Sequence, residues 1–160
     1  MLVPGQALSS LVIVRAEAAD ANRLTSIAVA AKRSWSYPEA WLEQWRPLLT
    51  ITSGFVSSHP TFIARVGAES VGFYALGEDG GEWELEHLWV QPDWMGRGVG
   101  RALFTDAADT VRAAGAHRLS IESDPFAEAF YLRIGAQRVG ERTYDLAGTE
   151  RVLPLLALQL

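Results

Sequence analysis

Residues 95–101 read Met95-Gly96-Arg97-Gly98-Val99-Gly100-Arg101, three glycines at alternate positions set between an apolar strand pattern and an amphipathic helix pattern. No other segment restricts the fold so strongly. Glycine lets the backbone turn tightly and approach a ligand with no Cβ in the way. The first turn of a helix carries N–H groups without intrahelical partners, and the helix dipole favours negative charge there. A turn of this kind predicts a diphosphate site with a strand in front and a helix behind. Downstream, Val99, Leu103, Ala107 and Val111 recur every four residues and Gly115 supplies the stop, so the helix runs from Gly98 to about Ala114.

Spacing narrows the ligand. A triphosphate loop needs Gly-Lys followed by Ser or Thr, and none is present. A dinucleotide fingerprint wants Gly-x-Gly-x-x-Gly/Ala, and counting from Gly96 or Gly98 lands on Arg101 or Leu103. Glu122, at a plausible distance for a ribose carboxylate, keeps a dinucleotide-binding oxidoreductase as a remote alternative.

Around this turn the chain alternates strands and helices. Strand patterns fall at Val12–Arg15, Thr61–Val66, Ser70–Leu76, Glu82–Val90, Arg118–Ser123, Gln137–Tyr144 and Val152–Leu158, with Gly67–Glu69 and Glu78–Gly81 as turns. Helix patterns fall at Asp20–Ser34, where Asp20 caps, at Pro38–Leu49, and from Asp124-Pro125 to Ile134, closed by Gly135. Residues 50–60 read as a connection. At 160 residues, 49% of them hydrophobic, the chain holds one sizeable core, so a single domain spans 1–160 with a flexible start at 1–10. The order predicts an α/β (α+β) fold: a mixed, mostly antiparallel central sheet of about seven strands flanked by about four helices.

At this point the sequence resembles the GCN5-related N-acetyltransferase (GNAT) family. Its acetyl-CoA motif, Gln/Arg-x-x-Gly-x-Gly/Ala, follows a strand ending in an apolar-x-Val-x-Pro pattern, and Leu88-Trp89-Val90-Gln91-Pro92 supplies that end. Gly98 and Gly100 fall on the motif's glycines, and Met95 stands where Gln or Arg is usual. Further on, Asp124, Ala127, Tyr131 and Gly135 follow the spacing of the family's Asn, Ala, Tyr and Gly, Asp124 being the departure. The resemblance implies a GNAT-like sheet and an acetyl-CoA site made by Leu88, Val90, Met95, Gly96, Arg97, Gly98, Val99, Gly100, Arg101 and Asp124. For Asp124 an N-cap ahead of Pro125 is the stronger reading.

The implied reaction sets chemical requirements. An alkyl amine, with a pKa of about 10, is protonated at neutral pH and cannot attack a thioester until a base removes a proton. Strand alternation puts Glu82, Glu84, Glu86, Leu88 and Val90 on one face, and Trp83, Leu85, His87 and Trp89 on the other. Three carboxylates on one face can raise one another's pKa. Family members place a base at positions matching Glu84 and Glu86, so Glu86 is the expected base, Glu84 its relay, and Tyr131 the acid that protonates the departing thiolate. His87 reads as a core histidine. With no cysteine, transfer is expected to be direct, within a ternary complex.

The resemblance assigns the acceptor side to the region holding Trp35, Tyr37 and Trp41, with Trp45 one turn further on. Aromatic walls suit an apolar or cationic amine, so a small amine or amino-acid-like acceptor is favoured. A net charge of −5 argues against nucleic acid. The histidines lack metal-ligand spacing, so no metal is expected. Leu11–Val14 is too short an apolar run for a secretion signal or a span, which makes the cytoplasm the expected compartment with no membrane partner. A non-catalytic acyl-CoA sensor of the same fold is the nearer alternative, and the oligomeric state is left open, a homodimer included.

Overall fold

The computed structural model describes residues 10–160; the flexible start expected over 1–10 lies, Ser10 apart, outside the described residues. Seven strands form one sheet: β1 Leu11–Arg15, β2 Thr61–Val66, β3 Glu69–Asp79, β4 Glu82–Val90, β5 Arg118–Glu122, β6 Gln137–Leu146 and β7 Thr149–Gln159. Their order is β1-β2-β3-β4-β5-β7-β6, and every pairing is antiparallel except β4 with β5. The helices are α1 Ala21–Arg33, α2 Glu39–Leu49, α3 Ser53–Ser58, α4 Val99–Ala113 and α5 Glu128–Arg133. None of them is long and apolar enough to cross a membrane.

Each face of the sheet carries its own core. On one, Val99, Leu103, Ala107 and Val111 of α4 pack with Val71, Tyr74 and Leu76 of β3 and Leu85 of β4. On the other, Leu24, Ile27 and Ala28 of α1 and Leu42, Trp45 and Leu49 of α2 meet Ile63 and Phe73. α4 approaches the sheet closely because Gly72 lies beneath it: a Cβ there would stand 2.8 Å from the Trp89 carbonyl oxygen and 3.0 Å from Leu103 Cδ1.

Three departures from the sequence reading have local causes. The 50–60 connection contains α3, six residues capped by Thr52, whose Oγ1 accepts the Phe55 N–H at 3.0 Å. α5 begins only at Glu128, with Ala127 in the N-cap position. Asp124 instead closes a turn on the Phe126 N–H at 2.8 Å, so the N-cap reading of Asp124 is corrected.

The third departure is a β-bulge. Ala75 pairs with His87 but Leu76 pairs with Leu85, which leaves Glu86 as the extra residue of β4. Alternation changes phase there. Trp83, Leu85, Leu88 and Val90 all join the α4 core, whereas Trp89 packs with the α1 side. The expected grouping of the carboxylates with Leu88 and Val90, and their separation from His87, is therefore overturned. β5 follows β4 only from Trp83 to Leu85, so beyond Leu85 the two parallel strands are unpaired and the sheet opens.

Candidate functional site

Two cavities lie beside this stretch of β4, and Trp89 lines both. The first, about 380 Å³, lies between the last residues of β4, the start of α4, and α5; its lining includes Leu88, Val90, Gly98, Phe130 and Tyr131. Gly96 and Gly98 hold φ of 74° and 86°, left-handed values that favour glycine. Gly100 has another role: a Cβ there would press on Phe130 Cζ at 3.2 Å. The N–H of Ala102 bonds the Gly98 carbonyl. Among the described residues, the amides of 96–101 have no backbone or side-chain acceptor, and Gly98 caps α4 without a side-chain bond. That is the arrangement a bound diphosphate requires. Arg101 and Met95 border the same cavity, whereas Arg97 lies over the Trp94 ring at 5.0 Å.

Tyr131 is buried, and burial, helped by the nearby Asp124 charge, pushes its phenol above the ordinary value, so it stays protonated. No described residue hydrogen-bonds its hydroxyl. Among the described residues no side-chain oxygen or nitrogen is both fully enclosed and unpartnered, so that hydroxyl is not sealed off, and Tyr131 lines the first cavity.

The second cavity, about 620 Å³, is bounded by β4, the β6–β7 hairpin and the ends of α1 and α2. Glu84, Glu86 and His87 all reach it, which is the bulge's consequence. Burial, then the charges of Glu86 and Glu122, raises the Glu84 pKa. Glu86 lies over Gly77, where a Cβ would fall 2.0 Å from Oε1, and its Oε2 is 3.7 Å from His59 Nε2. His59 stacks on Phe55 with centroids 3.9 Å apart. Its contact with Glu86 spans two elements, β4 and the end of α3, and no sequence spacing announces it. Burial, helped by His59, pushes His87 down to about 4; its Nδ1 accepts the Trp89 indole N–H at 3.0 Å, so the ring is neutral.

Of the expected acceptor aromatics Trp35, Tyr37 and Trp41, Tyr37 and Trp41 line neither cavity. Trp35 lines the first, stacked on Phe126 at 5.8 Å, and Trp45 lines the second. The ring faces already hold the protein's own cations. Lys32 Nζ stands 4.1 Å from the Trp45 centroid and 2.6 Å from Asp124 Oδ2. The Arg151 guanidinium lies over Tyr37, Trp41 and Trp45 at 5.0, 5.4 and 5.0 Å. Burial lowers the Lys32 pKa against the opposing pull of Asp124. The Tyr37 hydroxyl is 2.9 Å from both Asp124 oxygens and accepts from Arg151 Nη2 at 3.0 Å. Asp124 thus faces the second cavity with its oxygens held by Lys32, Tyr37 and the Phe126 amide. Glu122, the residue considered for a ribose, pairs with Arg142, whose Nε donates at 2.8 Å, and lines the second cavity rather than the one beside the glycine turn.

The model of an acetyltransferase (GNAT) domain matches residues 38–148. The N-alpha-acetyltransferase RimI of Mycobacterium tuberculosis is 31% identical over 116 residues, 68% of this chain and 72% of the relative. A GCN5-related N-acetyltransferase from Rhodopseudomonas palustris superposes with a TM-score of 0.80 at 23% identity, covering 94% of this chain and 96% of that one. The PaiA N-acetyltransferase of Thermoplasma acidophilum, solved with coenzyme A, gives a TM-score of 0.74 at 16% identity, covering 94% and 99%.

Proposed function

The chain belongs to the GNAT acetyltransferase family, and from that premise we propose that it carries an acetyl group from acetyl-CoA to the amine of a small or amino-acid-like acceptor by direct attack. The observation that carries this reading is the opening between β4 and β5, where a turn of unbonded amides and a pair of carboxylates border cavities that share Trp89. Coenzyme A in the Thermoplasma neighbour supports the donor, and the N-alpha-acetyl transfer named for the Mycobacterium relative supports an amine acceptor.

Acetyl-CoA supplies an activated carbonyl and a thiolate leaving group. The amides of 96–101, with Arg101 beside them, hold its diphosphate; Leu88, Val90 and Phe130 give the chain that follows an apolar wall. Glu86 takes the proton from the acceptor ammonium. Glu84, whose pKa is already raised, holds that proton as relay. Tyr131, protonated and unpartnered, donates its phenolic proton to the leaving sulfur. No cysteine is present to form an acyl intermediate, which favours direct transfer. Asp124 acts from the acceptor side by fixing Lys32 and Tyr37.

Thiol release from acetyl-CoA in the presence of an amine panel tests the reading. Turnover that drops in Glu86→Gln by about 10²-fold, with acetyl-CoA affinity unchanged, is the expected result. Binding of acetyl-CoA without turnover of any amine would point to the sensor alternative.

A further inference from the structure

Arg151 is 8% exposed and has no carboxylate partner within salt-bridge distance among the described residues. Its two hydrogen bonds go to phenol oxygens: Nη1 donates to Tyr144 at 3.3 Å and Nη2 to Tyr37 at 3.0 Å. A guanidinium taken out of water without an anion is costly, and the three ring faces around it offset only part of that cost. The neighbouring charges do not cancel it. Lys32 is satisfied by Asp124, Arg142 by Glu122, and Asp124 reaches Arg151 only through the Tyr37 hydroxyl. The cluster of Lys32, Arg151 and Asp124 thus carries one positive charge in excess, on the wall of the cavity that Glu84 and Glu86 also line. Among the described residues Arg151 Nε has no hydrogen-bond partner and is not fully enclosed, and the side chain lines that cavity.

We propose that Arg151 is an anion subsite of the acceptor pocket and that the acceptor is zwitterionic, a free amino acid whose carboxylate Arg151 holds while its amine faces the Glu84–Glu86 pair. The inference rests on the acetyl-transfer reading above and gives that reading its substrate class. The pocket is acidic where the amine must lose a proton and basic at the wall formed by the β6–β7 hairpin. A planar guanidinium whose Nε–H is unbonded, and whose Nη groups each spend one hydrogen on a phenol oxygen, keeps donors for a carboxylate in addition to its charge. The same arrangement disfavours a plain cationic amine, because the aromatic faces that would hold it are taken by Lys32 and Arg151.

The test is a calorimetric titration of the full chain, with coenzyme A present, using L-amino acids, their amides and matched aminoalkylphosphonates. At least one amino acid should bind about tenfold or more tightly than its amide, and Arg151→Gln should erase that difference. The comparison of amino acid with amide needs only the parent protein, so a poorly folding variant does not spoil it. Arg151→Lys, which keeps the charge and loses the fork, should recover part of the preference. Equal binding of acid and amide, preference for the phosphonate, or no binding by any amino acid would each overturn the proposal. Thiol release measured on the same panel reads the transfer reaction separately: amides acetylated as well as acids would leave the transfer standing and remove the anion subsite, and failure to bind coenzyme A at all would remove the reading beneath both.

Discussion

Gly77→Ala should uncouple activity from stability. Gly77 lies under the Glu86 side chain, and a Cβ there would stand 2.0 Å from Oε1, 2.8 Å from Cδ and 3.2 Å from Cγ. Non-bonded atoms are comfortable at roughly 3.5 Å, so the carboxylate has to retreat by about 1.5 Å. It can do so cheaply, because the atoms in the way belong to the far end of a flexible side chain. Gly77 also has no positive φ, so alanine fits its backbone, and the loss of unfolded-state freedom should leave stability unchanged or raised by up to about 1 kcal/mol. Chemistry is less forgiving: misplacing a reacting group by about 1 Å can cost on the order of 10²-fold. Thiol-release kinetics at saturating acetyl-CoA should show kcat reduced about 10- to 100-fold, with the Tm no lower than the parent's and acetyl-CoA affinity intact. A kcat within twofold of the parent would refute the claim that Glu86 acts from its place over Gly77.

Burial of neutral His87 predicts a pH-dependent stability. Its folded pKa of about 4 lies below the ordinary 6.5, so between those values the unfolded chain takes up a proton that the fold refuses. Stability from this residue is fully present above about pH 6.5 and declines by about 3 kcal/mol as pH falls to 4. In urea unfolding, the parent should lose about that much more than His87→Gln across the window; parallel curves would remove the effect. Gly72→Ala should destabilise by about 1–3 kcal/mol and raise the KM for acetyl-CoA, because its Cβ meets the Trp89 carbonyl and the Leu103 and Val99 side chains that seat α4. Unaltered stability would show that α4 can shift freely. Tyr131→Phe removes only an unpartnered hydroxyl, so kcat should fall about 10- to 100-fold with little change in Tm; an unchanged kcat would take the proton-donor role away from Tyr131.

What was legible in the sequence was local. The glycine turn, the fourfold spacing along α4 and the strand into Val90 are relations between near neighbours, and each maps onto a single element. Alternation along β4 was legible only as far as Glu86, because a bulge depends on which partner strand is opposite. The available hint was Gly72 and Gly77 inside β3, since glycine within a strand signals close approach or a bulge. α3 is too short for an apolar repeat to reveal it, and Thr52, its cap, is the one local signal. Residue separations of 92 for Lys32–Asp124 and 114 for Arg151–Tyr37 lie beyond any sequence pattern. The aromatic residues looked like a wall for a cation, but only the fold reveals that two of the chain's own cations stand on it.

Coenzyme A should be held chiefly through its diphosphate, by the free amides of 96–101, and a paired calorimetric titration tests that contact. Coenzyme A and pantetheine share the thiol arm and differ in the nucleotide diphosphate. The parent should bind coenzyme A at least about 100-fold more tightly than pantetheine, and Gly98→Glu, which sets bulk and negative charge at the turn, should abolish that margin. Equal affinity for the two ligands, or a Gly98→Glu isotherm matching the parent's, would contradict the account.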